Sequence, residues 1–165
     1  MKIVKSSRHQ KVIGDFGEQL ICNWLSRSGF EVAHVDHTGI DIVAFNPSMN
    51  ARLGITVKSR TRTPGKEAES VNIFRQKDKN DRETLVQACI AFACEPWIAV
   101  YIETTEFGEV YLTSLETYDT KYRGKEGRAI ETWKMRPEDK EDYAKNPDVK
   151  HIRIDFYATN WVWQR

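Results

Sequence analysis

The sequence lacks several features that would each indicate a particular class of protein. No apolar run reaches the roughly 18 residues that a membrane-spanning helix needs, and the N-terminal segment MKIVKSSRHQKVIGDFG has neither the long apolar core nor the cleavage site of a signal peptide. The phosphate-binding loop GxxxxGKS/T is absent, and no serine or cysteine triad stands out. We therefore expect a cytoplasmic protein that has neither a membrane partner nor an organic cofactor.

Cysteine is scarce, and its three occurrences argue against two further kinds of site. Cys22, Cys89 and Cys94 lie within apolar helical patterns and lack the spacing of zinc ligands. An odd number of cysteines in a chain without an export signal indicates reduced, buried thiols rather than a disulfide framework.

The amino-acid composition is that of an ordinary folded domain. Hydrophobic residues make up 40% of the chain and charged residues 30%, which separates it from disordered sequences. A length of 165 residues suits one domain with a proper core. We predict a single domain over residues 1–165, with its core at about 14–115 and a C-terminal elaboration at about 116–165.

The net charge of +1 conceals an uneven distribution of charge. Residues 1–82 carry 14 Lys+Arg against 9 Asp+Glu, whereas the remainder carry 11 against 15. Clustered cations attract a polyanion and hold its phosphates, although a basic run taken alone more often marks a solvated surface. The excess lies in an N-terminal arm and in the segment after Lys58. The candidates for nucleic-acid contacts in these two places are Lys5, Arg8, Lys11, Arg60, Arg62, Lys77 and Lys79.

The first sixty residues predict a helix followed by three strands. Asp15 and Glu18 have the spacing of a capping box, apolar residues then recur at helical spacing, and Gly29 ends the pattern. Runs rich in β-branched residues follow, separated by turn residues. We predict a helix at about 15–28 and strands at about 30–35, 40–45 and 52–60.

Residues 61–165 predict a long connection, a second helix and further strands. Residues 61–80 indicate a long connection with at most one short strand, and such a loop in a compact domain is usually functional or disordered. Asp81 is predicted to cap a second helix. Trp97–Glu103 is predicted to be a central strand, and the crossover helix before it allows this strand to lie parallel to an earlier one. Further strands are predicted at about 109–115, 129–135 and 152–156, with a short helix at about 137–145.

Polar residues on three of these elements point to one chemistry. Asp41 begins a strand that is otherwise apolar, and the period of two places Thr56 and Lys58 on one face of the next strand. A hairpin between the two strands brings Asp41 near Lys58, and Glu18 approaches them if the first helix packs over the sheet. Such a set suits phosphodiester hydrolysis, in which carboxylates hold Mg²⁺, a metal-bound water attacks and a lysine stabilises the developing charge.

The motifs GDFGEQLICNWLSRSGFEV, TGIDIVAF and LGITVKSR, in this order, resemble the PD-(D/E)XK nuclease superfamily, particularly its Holliday-junction-resolvase-like and restriction-endonuclease-like branches. The resemblance covers about residues 14–103 and implies an α/β fold with a restriction-endonuclease-like core in the order α-β-β-β-α-β. It implies a Mg²⁺- or Mn²⁺-dependent endonuclease acting on DNA. Asp41 would be the principal metal ligand, Glu18 an accessory metal-ligating acid and Lys58 the catalytic lysine. Gln87, on the second helix, corresponds to a functional polar position in some members.

One position departs from the pattern of the superfamily. Its second acid stands two residues before the lysine, where this sequence has Thr56, and a hydroxyl is a poor ligand for a hard dication. Two outcomes remain open. Either Glu18, Asp15 or Asp36 supplies the missing charge while the Val57 carbonyl completes the metal shell, or the site has decayed. In the second case the chain binds nucleic acid or a protein partner without cutting.

The site residues also have ordinary structural interpretations. Asp41 can cap the turn after Gly39, Lys58 can pair with Asp36 or Glu31 at a sheet edge, and Glu18 can serve only as the acid of the capping box.

Other conspicuous side chains favour structural roles. His34 and His37 flank Asp36, but residues at a strand end and turn do not converge easily on one ion, so we interpret them as loop residues. Trp161 and Trp163 favour core or dimer contacts over a base-stacking platform. A homodimer would let two such sites cut both strands of a duplex.

Overall fold

A computed structural model describes residues 3–75, 80–124 and 129–161 of the chain. Its helices are α1 (His9–Arg27), α2 (Asp81–Ala91), α3 (Leu115–Thr117) and α4 (Pro137–Lys145), and a π-helical turn at Tyr118–Tyr122 follows α3. Its strands are β1 (Glu31–His37), β2 (Ile40–Asn46), β3 (Ala51–Thr61), β4 (Val71–Arg75), β5 (Glu95–Glu103), β6 (Phe107–Ser114), β7 (Ile130–Trp133) and β8 (Lys150–Asp155).

Six of the strands form one mixed sheet in the order β1-β2-β3-β5-β6-β8. Neighbouring strands run antiparallel except β3 and β5, which are parallel because α2 lies in the connection between them. This arrangement confirms the predicted crossover. Strand β5 is fully buried from Ile98 to Ile102, as predicted for a central strand.

Helix α1 covers one face of this sheet. Ile13, Ile21 and Leu25 pack in one cluster with Ile42 and Ile55 of the strands. Gly17 brings the helix unusually near, since a Cβ atom at this position would collide with Ser59 Oγ and lie 3.1 Å from Tyr101 Cβ. The close approach fixes the height of the neighbouring Glu18 above the sheet.

The other face of the sheet is covered by α2 together with the C-terminal elements. Leu85 of α2 and Phe74 of β4 belong to the same buried cluster as Trp133, Met135 and Tyr143. Strands β4 and β7 add a small two-stranded antiparallel sheet on this side. The C-terminal elaboration is therefore part of the main core.

Two predicted helix starts are wrong. Helix α1 begins at His9 rather than at Asp15, because Ile13 is buried against the sheet and extends the apolar stripe by more than a turn. Asp15 is instead an exposed helical residue that pairs with Lys11 at 3.1 Å. The cap of α2 is Asn80, whose side chain accepts the backbone amide of Glu83, so Asp81 is the first helical residue.

The predicted long connection contains an ordered strand. Val71 and Phe74 are buried and anchor β4, which pairs with β7 from the other end of the chain. Of the three free thiols, those of Cys22 and Cys89 are buried and that of Cys94 is partly exposed, and burial raises the pKa of Cys89 to about 12. None of the described helices is long and apolar enough to cross a membrane.

Candidate active site

The carboxylate of Asp41 is attached to the neighbouring strand by two hydrogen bonds. Its Oδ2 accepts the backbone amide of Val57 at 2.6 Å and the hydroxyl of Thr56 at 3.2 Å. The register of the β2–β3 hairpin explains this contact, because Ile42 pairs with Ile55 and places Asp41 opposite Thr56. No residue in the described part of the chain donates a hydrogen bond to Oδ1, which leaves that oxygen for a ligand.

Asp41, Thr56 and Lys58 line one pocket of about 320 Å³. Thr56 and Lys58 lie on the same face of β3, since each lies beside a residue of β5, Ile98 and Val100, from the cluster beneath α2. Lys58 is partly exposed. The structure thus brings the carboxylate and the ammonium to one place. The rest of the wall is formed by Thr38, Gly39, Phe74, Asp81 and Thr84.

Glu18 lies near Asp41 but outside the lining of this pocket. Its carboxylate approaches His34 Nδ1 at 3.5 Å. Burial raises the pKa of Glu18, the negative charge of Asp41 raises it further, and His34 partly opposes both effects. The capping-box role is wrong for Glu18, because α1 starts nine residues earlier, at His9.

Asp81 is a pocket residue for which the sequence pattern indicates only a helix cap. Its Oδ2 accepts the backbone amide of Arg75 at 3.0 Å, and its side chain lines the pocket with Asp41 and Lys58. Its position depends on β4, which leads into α2 and is held by β7. A pairing between segments so far apart in the chain leaves no local signal that would have revealed Asp81.

The other acids proposed as substitutes do not line the pocket. Asp15 and Asp36 are both exposed, and neither belongs to the lining. Within the described ranges, no three His, Cys, Asp or Glu side chains are grouped so that they could hold a metal ion between them. His34, Asp36 and His37 form no such group, and the interpretation of them as loop residues is wrong, because all three lie in β1.

Gln87 lies next to the pocket rather than in it. It lines an adjoining cavity of about 430 Å³ together with His37. Thr38 and Thr84 belong to the walls of both cavities. Gln87 is one turn of α2 beyond Thr84, so any contact with a ligand would be made beside the Asp41 pocket.

A larger cavity, of about 790 Å³, lies on the α1 side of the sheet. Apolar residues such as Trp24, Trp97 and Leu112 dominate its lining, and Glu95, Lys150 and His151 also border it. Its walls contain none of the predicted catalytic residues. We place the candidate site in the smaller pocket because charged groups from β2, β3 and α2 converge there.

The N-terminal arm lies against the end of β3. Lys5 Nζ donates to the Thr61 carbonyl at 2.9 Å, and His9 Nε2 lies 2.7 Å from Thr61 Oγ1. Arg8, just before α1, and Lys11, in its first turn, are both exposed. The arm and the end of β3 therefore form one basic surface.

Two further cations of the predicted set follow Lys58 in the chain: Arg60 lies on β3, and Arg62 comes just after the end of that strand. Arg60 is partly buried, and Arg62 forms an ion pair with Glu69 at 3.0 Å. Lys77 and Lys79 lie outside the described residues, as does Trp163. Trp161 is exposed, so the prediction of a core contact is wrong for this residue, whereas a dimer contact stays a prediction.

No family model matches the sequence, and no curated protein matches it. Among solved structures the chain is similar to Hjc, a Holliday junction resolvase from the archaeal hyperthermophile Archaeoglobus fulgidus. The TM-score is 0.50 at 20% sequence identity, and the match covers 76% of this chain and 85% of that chain. At this identity the likeness concerns the fold. The chain has the restriction-endonuclease-like α/β fold of PD-(D/E)XK nucleases, as the motifs predict.

Proposed function

We propose that this chain is an endonuclease that hydrolyses phosphodiester bonds in DNA with Mg²⁺ or Mn²⁺ as its cofactor. The observation that carries the proposal is the shared pocket of Asp41 and Lys58. The fold supports it, because one similar solved structure is that of a Holliday junction resolvase.

The oxygen donors of the pocket fit a hard dication. Mg²⁺ is usually held by one or two carboxylates together with substrate phosphates rather than by a complete protein cage. We assign Asp41 and Asp81, which both line the pocket, as the carboxylates, with the Val57 carbonyl as a further candidate ligand. Glu18 lies outside this lining and forms no group of three acids with them, so it is not assigned to the same ion. When bound, the ion would supply Lewis acidity toward the phosphate and lower the pKa of a bound water.

The protein groups have separate roles in this proposal. The Val57 amide and the Thr56 hydroxyl hold Asp41 in a fixed orientation through Oδ2. Lys58 places a compact positive charge where negative charge grows on the phosphate oxygens during attack. Lys5, Arg8, Lys11, Arg60, Arg62, Lys77 and Lys79 would hold the flanking phosphates, so DNA binding should weaken steeply with salt.

A cleavage assay tests the proposal. Plasmid DNA and a four-way DNA junction would be incubated with Mn²⁺ and wild-type protein, Asp41→Ala or Lys58→Ala. We expect wild-type protein to cut at least one substrate and both variants to lose at least 100-fold in rate, in line with the effect of removing one group that stabilises the transition state.

Matched controls remove acids and lysines at other places. Glu116→Gln and Lys150→Ala change exposed residues outside the pocket and should cut like wild type. Equal cutting by wild type, Asp41→Ala and Lys58→Ala would show that the assigned pocket is not the active site.

Thr56 favours a second candidate function, a nuclease-fold module that binds nucleic acid or a protein partner without cutting. The hydroxyl stands where the superfamily pattern has an acid, and it is engaged with Asp41. Calorimetry separates the two candidates. If the protein binds DNA but does not bind Mg²⁺ or Mn²⁺ at millimolar concentration, the non-cutting module is selected. Whichever function holds, analytical sedimentation of the protein would test the homodimer.

A further inference from the structure

Arginine side chains gather at the end of β3, next to the pocket. Arg60 follows Lys58 by two positions on the same strand face, where Ile102 of the buried α2-side cluster is its neighbour on β5. Burial lowers the pKa of Arg60, and the charges of Arg62 and Arg75 lower it further. The guanidinium groups of Arg62 and Arg75 therefore lie near enough to Arg60 to act on it electrostatically.

The charges of these three arginines are unevenly compensated. Arg62 has Glu69 as an ion-pair partner and also donates to the carbonyls of Glu69 and Ser70. Arg60 donates one hydrogen bond, at 2.7 Å, to the carbonyl of its neighbour Ser59. No carboxylate in residues 3–75, 80–124 or 129–161 forms an ion pair with Arg60 or with the side chain of Arg75.

A partly buried cation beside like charges is unfavourable unless an anion balances it. A guanidinium carries five N–H donors, and one of those of Arg60 is used within the protein. Its planar fork matches the paired oxygens of a phosphate. The place therefore has the charge and the free donors that a phosphodiester group requires.

The position of Arg60 indicates which phosphate it would bind. Residues two apart on a strand are separated by about 7 Å, a distance comparable with that between successive phosphates of a nucleic acid strand. A phosphate at Lys58 thus places its neighbour along the same strand near Arg60.

We propose that Arg60, assisted by Arg75, binds the DNA phosphate adjacent to the one at Lys58 and so sets the position of the cleaved bond. The inference rests on the proposed function for the identity of the phosphate at Lys58. Arg60 is a positioning residue, since it lies beside the reacting phosphate and not on it.

Binding to DNA without metal tests this site independently of cleavage. Anisotropy of a fluorescent DNA duplex and a four-way junction would be measured with a metal chelator over a range of salt concentrations. We expect Arg60→Gln to weaken binding several-fold and to reduce the slope of log K against log salt by about one, since one phosphate contact is lost. Arg75→Gln should have a smaller effect in the same direction.

Arg52→Gln is the matched control, because Arg52 is an exposed arginine near the other end of β3. It should leave the salt slope unchanged. Thermal unfolding adds a second measurement: Arg60→Gln should be as stable as wild type or more stable, because it removes an uncompensated charge. A destabilised Arg60→Gln variant would show that Arg60 has a structural role and would overturn the inference.

The failures of the two proposals can be distinguished. A wild-type slope for Arg60→Gln in a protein that cuts DNA overturns only the Arg60 site. A reduced slope in a protein that does not cut DNA supports phosphate binding at Arg60, but it contradicts the nuclease and with it the role of Arg60 in positioning a cleaved bond. Absence of any DNA binding by wild-type protein would overturn both.

Discussion

The hydroxyl of Thr56 donates a hydrogen bond to the same carboxylate oxygen of Asp41 that accepts the backbone amide of Val57. The residue that replaces an expected acid thus holds another acid in position. Through this contact the pocket keeps the Asp41 carboxylate oriented although β3 lacks the second acid of the superfamily pattern.

Restoring the acid should make the protein depend on metal for stability. In Thr56→Glu, a second carboxylate would face Asp41 at a position that is 5% exposed, and like charges so close repel each other. Without metal we expect a melting temperature several degrees below that of wild type, since 1 kcal/mol corresponds to about 2–4 °C in a chain of this size. Mn²⁺ should recover most of the loss, as measured by differential scanning fluorimetry.

Thr56→Gln is the neutral control for that experiment, because it has similar length without the charge. Its melting temperature should respond to Mn²⁺ no more than that of wild type. If Thr56→Glu gained nothing further from Mn²⁺, the pocket would not be the metal site.

The approach of α1 to the sheet should make Gly17 intolerant of substitution. In Gly17→Ala, the new methyl group would collide with Ser59 Oγ and press on Tyr101. Overpacking of this kind costs about 1–3 kcal/mol. Gly14→Ala is the matched control in the same helix, since nothing lies within 4 Å of a Cβ atom there, and it should stabilise the protein by about 0.5–1 kcal/mol. Urea unfolding that gave both variants the same sign would contradict the packing described for α1.

The carboxyl of Glu18 should lower the stability of the protein as the pH rises. Burial, followed by the charge of Asp41, raises the pKa of Glu18 in the folded state. The folded protein therefore holds the proton of Glu18 more tightly than the unfolded chain does. The favourable contribution of the Glu18 carboxyl to the free energy of unfolding is complete below the pKa that Glu18 has in the unfolded chain. It is lost as the pH rises through the pKa that Glu18 has in the folded protein.

Glu18→Gln tests this dependence on pH. Relative to wild type, the variant should gain stability at the upper end of the pH range, because it lacks the carboxylate that burial and Asp41 disfavour. The gain should shrink as the pH falls and the wild-type carboxyl takes up its proton. Thermal unfolding from pH 3 to pH 8 would measure it. Glu116→Gln, at an exposed position, should show no such trend. A constant difference between Glu18→Gln and wild type at every pH would contradict the raised pKa.

Arg82 connects α2 to the C-terminal elements by paired charges. Its guanidinium contacts Asp119 at 2.6 Å and Glu131 at 2.7 Å, and Glu131 is buried. Arg82→Met would leave the buried carboxylate with less compensation, which typically costs about 3–5 kcal/mol. We expect the lower end of that range, because Arg123 also pairs with Glu131.

Chemical denaturation of Arg82→Met would measure that loss. Arg136→Gln removes an arginine from a pair with Asp139 that lies at the surface, and exposed pairs of this kind contribute little. Equal stability of the two variants would show that the Arg82 contacts do not hold α2.

The part of the site that the sequence predicts is local in the chain. Asp41, Thr56 and Lys58 belong to one hairpin, so alternation along two adjacent strands is enough to bring them together. Asp81 was missed because its place in the pocket depends on the pairing of β4 with β7, which is a contact between distant segments. The early start of α1 was missed for a similar reason, since Ile13 joins the helix through its burial against the sheet rather than through a local cap.

Phe74 belongs both to the wall of the Asp41 pocket and to the buried cluster that contains Trp133 and Tyr143. The guanidinium of Arg82 also lies over its ring, 5.0 Å from the centroid. Shortening the chain to residues 1–115 would therefore not produce a minimal version of the domain, because it would remove the aromatic partners behind that wall. Truncation experiments that seek a smaller functional unit should retain the segment through β8.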